Sequence, residues 1–216
     1  MGFAIFVFLA IYTNVPTIPT PEDILVFESK LFLHRPEGKL TYSQELDLIR
    51  SVQTSVWAKS PFGVGIAKYE DREPPALLKA GQGSCFDISR TYDKAFNYLG
   101  FESRHVYLLF RSDRTFLSAL LHYRQPSHAV TEVKTSKGWL FVDSNSPWIA
   151  ITRNGDPVGA DDVWKRIDEF DKPPPYLREP WWAIRGMYSR KGTLYKPFFP
   201  FPQLNWPDFL NWLISG

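Results

Sequence analysis

Apolar residues recur every three or four positions in two stretches of this chain, and the repeat predicts two amphipathic helices. The first opens at Thr41 or Ser43, either of which suits an N-cap, and carries Leu46, Ile49, Val52, Val56 and Trp57 on one face. It should stop near Ser60 and Pro61. The second runs from Cys85 to Leu99, with Ile88, Tyr92, Ala95, Phe96 and Leu99 in phase and Gly100 as a C-cap signal. Between them, residues 61–83 are punctuated by Gly63, Gly65, Pro74, Pro75, Gly81 and Gly83 and read as a loop. Residues 103–110 (SRHVYLLF) have the composition of a buried strand, and 115–123 that of a short helix. Two further strands, 128–134 and 139–143, flank Thr135-Ser136-Lys137-Gly138, a hairpin signal. A short strand is expected at 148–152 and a short amphipathic helix at 206–214. No internal repeat is visible. Helices first and an antiparallel sheet afterwards predict an α+β fold.

The hairpin carries more than topology. If Thr135 and Gly138 close the turn, Asp143 falls opposite Val130, and His128 opposite Asn145. His128 and Val130 share a strand face, so His128 and Asp143 become diagonal neighbours within reach of one hydrogen bond. A loop longer or shorter by one residue would send them to opposite faces.

Composition narrows the field. With 216 residues and 44% hydrophobic content, the chain can bury one well-packed core. A formal charge of +2 gives no electrostatic case for nucleic acid, which calls for a concentrated basic face. The single cysteine excludes an internal disulfide and a zinc site built on thiolates. Residues 2–12 (GFAIFVFLAIY) form an unbroken apolar run, shorter than the roughly 20 residues of a membrane-spanning helix. Its length fits a signal-peptide core or a truncated anchor, although no Lys or Arg precedes it and no small-x-small site follows. The alternative is a buried first element. Prolines at 16, 19 and 21 then mark a linker. After Asp171, prolines alternate with aromatic residues, as in Pro180-Trp181-Trp182 and Lys196-Pro197-Phe198-Phe199-Pro200-Phe201-Pro202. The expected organisation is an apolar segment and linker at 1–21, a main domain at 22–171 and a Pro/aromatic arm at 172–216. The arm either packs its rings on the core or sets them at a membrane interface or substrate cleft. An exported or membrane-associated location is favoured over a cytoplasmic one.

Candidate chemistry centres on Cys85. It begins a helix directly after Gly-Gln-Gly-Ser, where the helix dipole favours a thiolate and glycines admit a substrate backbone. Free N–H groups there suit an oxyanion. A lone cysteine is more often a small buried apolar side chain, but His128 and Asp143 in the hairpin change the weighing. A carboxylate on one imidazole nitrogen leaves the other for a thiol proton. His34, His105 and His122 have no acidic partner at a suggestive spacing and read as structural.

Two blocks together resemble the transglutaminase-like superfamily. One is Gly83-Ser84-Cys85 leading into the helix that ends at Leu99-Gly100-Phe101. The other is His128-Ala129-Val130-Thr131-Glu132-Val133, followed by Gly138-Trp139-Leu140-Phe141-Val142-Asp143. The resemblance implies a papain-like α+β core, with the Cys on a helix and the His and Asp on an antiparallel sheet. It implies thiolate attack on an amide of a peptide or protein, a thioester intermediate, and release to water or an amine, without a cofactor. Some animal members need calcium, but nothing in this sequence resembles a calcium loop. Cys85, His128 and Asp143 fill the catalytic positions. The Cys85 N–H, Gln82 and Trp57 are the oxyanion candidates, and Asn145 would replace Asp143 if the register shifted. Competing readings are a non-catalytic binding module with the same cleft and an envelope-associated accessory protein.

Overall fold

The structure is a computed structural model that describes residues 10–122 and 124–215. Most of the apolar run, residues 2–9, and the end of the expected 115–123 helix at Tyr123 lie outside the described residues. Helices α1 (Pro21–Ser29), α2 (Tyr42–Lys59), α3 (Pro74–Ala80) and α4 (Cys85–Leu99) come first. Strand β1 (Ser103–Phe110), helix α5 (Phe116–Leu121) and the hairpin β2 (Ser127–Thr135) and β3 (Gly138–Val142) follow. Strands β4 (Trp181–Arg185), β5 (Met187–Ser189) and β6 (Gln203–Leu204) and helix α6 (Trp206–Ser215) complete the order. The main sheet is antiparallel, ordered β3-β2-β1-β4, and β5 pairs with β6 apart from it. Mixed helix and antiparallel sheet make this an α+β fold.

Local chemistry sets the helix ends. Thr41 caps α2 reciprocally with Gln44, and Thr20 does the same for α1 with Asp23. Ser84 and Asp87 form the capping box of α4, which stops where Gly100 takes φ 91, a left-handed value that costs glycine little. Residues 61–83 are not loop throughout. Pro74 and Pro75 occupy the first turn of α3, where a missing N–H costs nothing and a fixed φ helps, so residues read as breakers start a helix instead. The expected strand at 148–152 is reduced to isolated bridges, Val142 with Ile149, Ile151 with Pro157 and Thr152 with Phe170. The stretch after Asp171 supplies β4, hydrogen-bonded along β1.

Helix α4 lies at the centre. Its apolar face joins Phe27, Ile49, Val52, Leu77 and Val142 in one cluster. Its polar face, which the repeat would leave in water, is buried too. Lys94 Nζ lies 2.6 Å from both Asp23 and Glu73, Arg90 lies 2.9 Å from Glu73, and the Tyr188 hydroxyl donates to Asp93 at 2.5 Å. Buried charges persist only when partnered in this way. Thr131 donates to the Ser89 carbonyl at 3.0 Å and ties the helix to β2. Glu132 clamps the sheet, accepting from Arg104 on β1 at 2.7 Å, Arg185 on β4 at 3.3 Å and the Ala160 amide at 2.6 Å.

Candidate active site

The hairpin closes with Thr135 paired to Gly138 and continues to Thr131 paired with Val142. That register carries Asp143, just past β3, to the side of His128 near the start of β2. His128 Nε2 lies 2.7 Å from Asp143 Oδ1, and both side chains are buried. The other ring nitrogen, Nδ1, is buried without a hydrogen-bond partner. Cys85 begins α4 and is partly exposed. Burial alone would push the His128 imidazolium to lose its proton earlier. Hydrogen bonds and charge from Asp143 and Cys85 outweigh burial and raise its pKa to about 9. Burial works to raise Asp143, but His128, with Ser146 and Tyr176, holds it below the usual carboxylate range.

Asp143 is held on all sides. Its Oδ2 accepts from Ser146 Oγ at 2.6 Å and from the Tyr176 hydroxyl in a short hydrogen bond. The Tyr176 ring meets His128 edge-on at 5.7 Å. Burial and the Asp143 charge push the Tyr176 phenol up, so it stays a donor at every ordinary pH. Beneath, Gln53 on α2 donates to the carbonyls of Asp143 at 3.0 Å and Trp148 at 2.9 Å, fixing the backbone that follows β3. Sequence reasoning missed Tyr176, Ser146 and Gln53. A Tyr among prolines carries no local mark of its partner. Ser146, in the polar Ser144-Asn145-Ser146 turn beside Asp143, could have been suspected.

The remaining candidates fall differently. Trp57 lies one turn beyond Gln53 on α2, packed against the cluster of Leu77, Ile88 and Val142, and its indole N–H is buried without a partner. Gln82 is exposed, and its side chain lies so close over Gly63 that a Cβ there would collide with Oε1. Asn145 leaves the imidazole to Asp143, its own Oδ1 buried and unpartnered. His105 is buried, stacked on Tyr188 at 4.1 Å and 3.2 Å from Ser89 Oγ. Burial, then the Arg90 and His128 charges, lower its pKa to about 3, so it is neutral. Among the described residues, no group of His, Cys, Asp and Glu is arranged to hold a metal ion.

Helix α4 with Cys85 in its first turn, and an antiparallel sheet that bears the His128–Asp143 pair, place this chain in the class of α+β domains. Within that class, residues 39–144 match the family model of the transglutaminase-like superfamily, and this segment is a domain of that superfamily. No curated protein matches the chain. Among solved structures, a chain in the crystal structure of Rad4-Rad23 bound to a 6-4 photoproduct UV lesion is similar, at 13% identity and a TM-score of 0.37. The match covers 88% of this chain and 45% of that one.

Proposed function

We propose that this protein is a cysteine enzyme that cleaves or transfers amide acyl groups of a peptide or protein through a thioester on Cys85. The observation that carries the reading is the 2.7 Å contact between His128 and Asp143, with the second imidazole nitrogen left for the thiol. A carboxylate in that position fixes the tautomer and supports the imidazolium. A cationic ring beside sulfur favours the thiolate. In the first step Sγ attacks the amide carbonyl carbon, the C–N bond breaks, and His128 gives its proton to the leaving amine. In the second step water or a primary amine attacks the thioester, His128 takes the nucleophile's proton, and Sγ leaves as thiolate. The Cys85 N–H at the helix start and the unpartnered Trp57 indole N–H are the donors proposed for the oxyanion.

Incubating the protein with a peptide library, with and without a primary amine, tests the reading. New carboxyl termini or amine adducts are expected, and both should vanish in Cys85→Ala. Turnover that survives in Cys85→Ala refutes it. Trp57→Phe keeps an aromatic side chain, smaller than the indole, and removes the donor, so kcat should fall about 10²–10³-fold with KM little changed. An unchanged kcat removes Trp57 from the site.

Tyr176 acts here as a positioning residue, through Asp143. Tyr176→Phe keeps the edge contact with His128 and deletes one bond to the carboxylate. The variant should lose about tenfold in kcat, consistent with one charge-assisted hydrogen bond. Its alkaline pH limb should also move. A full-rate enzyme with the wild-type pH profile would show that the hydroxyl only fills space.

A further inference from the structure

Helix α6 is ten residues long, and none of them is buried. Trp206, Phe209 and Trp212 recur every three residues and pack on the cluster of Tyr107, Leu109 and Ile184. A helix docked by one apolar stripe ordinarily turns polar residues outward. This one turns out Leu210, Leu213 and Ile214, which are 40%, 61% and 83% exposed and share a face by their spacing. Its single charged residue, Asp208, is on the protein side, against Gly186. Asn211 and Ser215 face Arg104 and Arg185 across a small cavity.

The start of α6 also receives the residues that directly follow the N-terminal apolar run. The Val15 N–H donates to the Leu204 carbonyl at 2.8 Å, and Asn205 Nδ2 donates to the Val15 carbonyl at 3.1 Å. The Trp206 N–H donates to Asn14 Oδ1 at 3.2 Å. Residues 10–12 therefore stand near the start of α6, with Ile11 75% exposed. Tyr12 meets Phe199 edge-on at 5.4 Å, and Phe199 stacks on Phe201 at 5.1 Å, adding an aromatic cluster to the same corner.

We propose that this corner rests on a lipid bilayer, with the Leu210–Leu213–Ile214 stripe in the acyl boundary and the aromatic residues beside it at headgroup level. Three features favour a bilayer over a protein partner: an exposed Ile11 near the end of a run that is apolar and charge-free in sequence, an outward aliphatic stripe on α6, and the Tyr12–Phe199–Phe201 aromatic cluster. Among the described residues, no helix is long and apolar enough to cross a membrane. The catalytic reading is not needed for this inference.

The test is flotation of the full chain with phosphatidylcholine vesicles and, in parallel, vesicles that also contain phosphatidylglycerol. Wild type should float with both, because the stripe carries no charge. The triple variant Leu210→Glu/Leu213→Glu/Ile214→Glu should lower the bound fraction by about tenfold or more. Its unfolding midpoint should stay near that of wild type, since the three positions face solvent. Wild type that stays with neither vesicle, or a triple variant that floats equally well, overturns the proposal. A wild-type dimer that the triple variant converts to monomer, with no vesicle binding, overturns it in favour of a second copy on the stripe.

Discussion

His128→Ala is expected to slow turnover of an amide substrate by about 10²–10⁴-fold, and to slow alkylation of Cys85 by iodoacetamide near neutral pH. The imidazole bonds Asp143 through one nitrogen and, in the proposed mechanism, serves the thiol through the other, a role water cannot take at fixed geometry. The pH dependence follows from the same contacts. The imidazolium survives to about pH 9, so wild-type activity should fall on the alkaline side near that value. Alkylation by the neutral reagent should continue there, because a free thiolate needs no acid. The linked stability has a definite sign. His128 is raised from 6.5, so its contribution is complete below about pH 6.5 and is lost as pH rises through about 9. Asp143 is held low, so its contribution is present above its ordinary value and is lost as pH falls. Thermal unfolding of wild type and His128→Ala across pH should therefore converge toward the alkaline end. Equal alkylation rates in the two proteins at pH 7 would sink the assignment of His128.

Asp87→Ala is expected to cost about 3–5 kcal/mol, the typical penalty for stripping one partner from a buried ion pair. Asp87 is fully buried and paired with Arg72, and its Oδ2 also accepts from the Ser84 N–H and hydroxyl, each at 2.7 Å, and from the Ile66 N–H at 3.2 Å. These bonds hold the first turn of α4, where Cys85 sits. For a chain of this size the loss corresponds to a fall in Tm of roughly 6–20 °C. Arg72→Met added to Asp87→Leu should recover part of it, because an apolar pair leaves no buried charge without a partner. Differential scanning calorimetry decides the point. A midpoint for Asp87→Ala within two or three degrees of wild type would mean that the pair contributes little.

The legible features of the sequence were those governed by neighbours along the chain. Helix α2 was marked by a Thr41 or Ser43 cap and a regular repeat, and α4 by its repeat and by Gly100 at its end. The hairpin register followed from the turn residues, and with it the proximity of His128 and Asp143. Helix α3 was lost because proline signals both the end of a helix and its first turn, and only the following residues separate the two.

Sequence by itself determined the thiol at a helix start, the strand pair that aligns an imidazole with a carboxylate, and the exclusion of an internal disulfide, because each depends on residue type, number or short-range period. Tertiary structure alone decided that the charged side of α4 is buried, that Trp181–Arg185 closes the sheet, and that Tyr176 grips Asp143 from 33 residues away. The reason is physical. Periodicity reports which side of an element is apolar, whereas a partner brought in from a distant segment leaves no trace in the spacing of either residue.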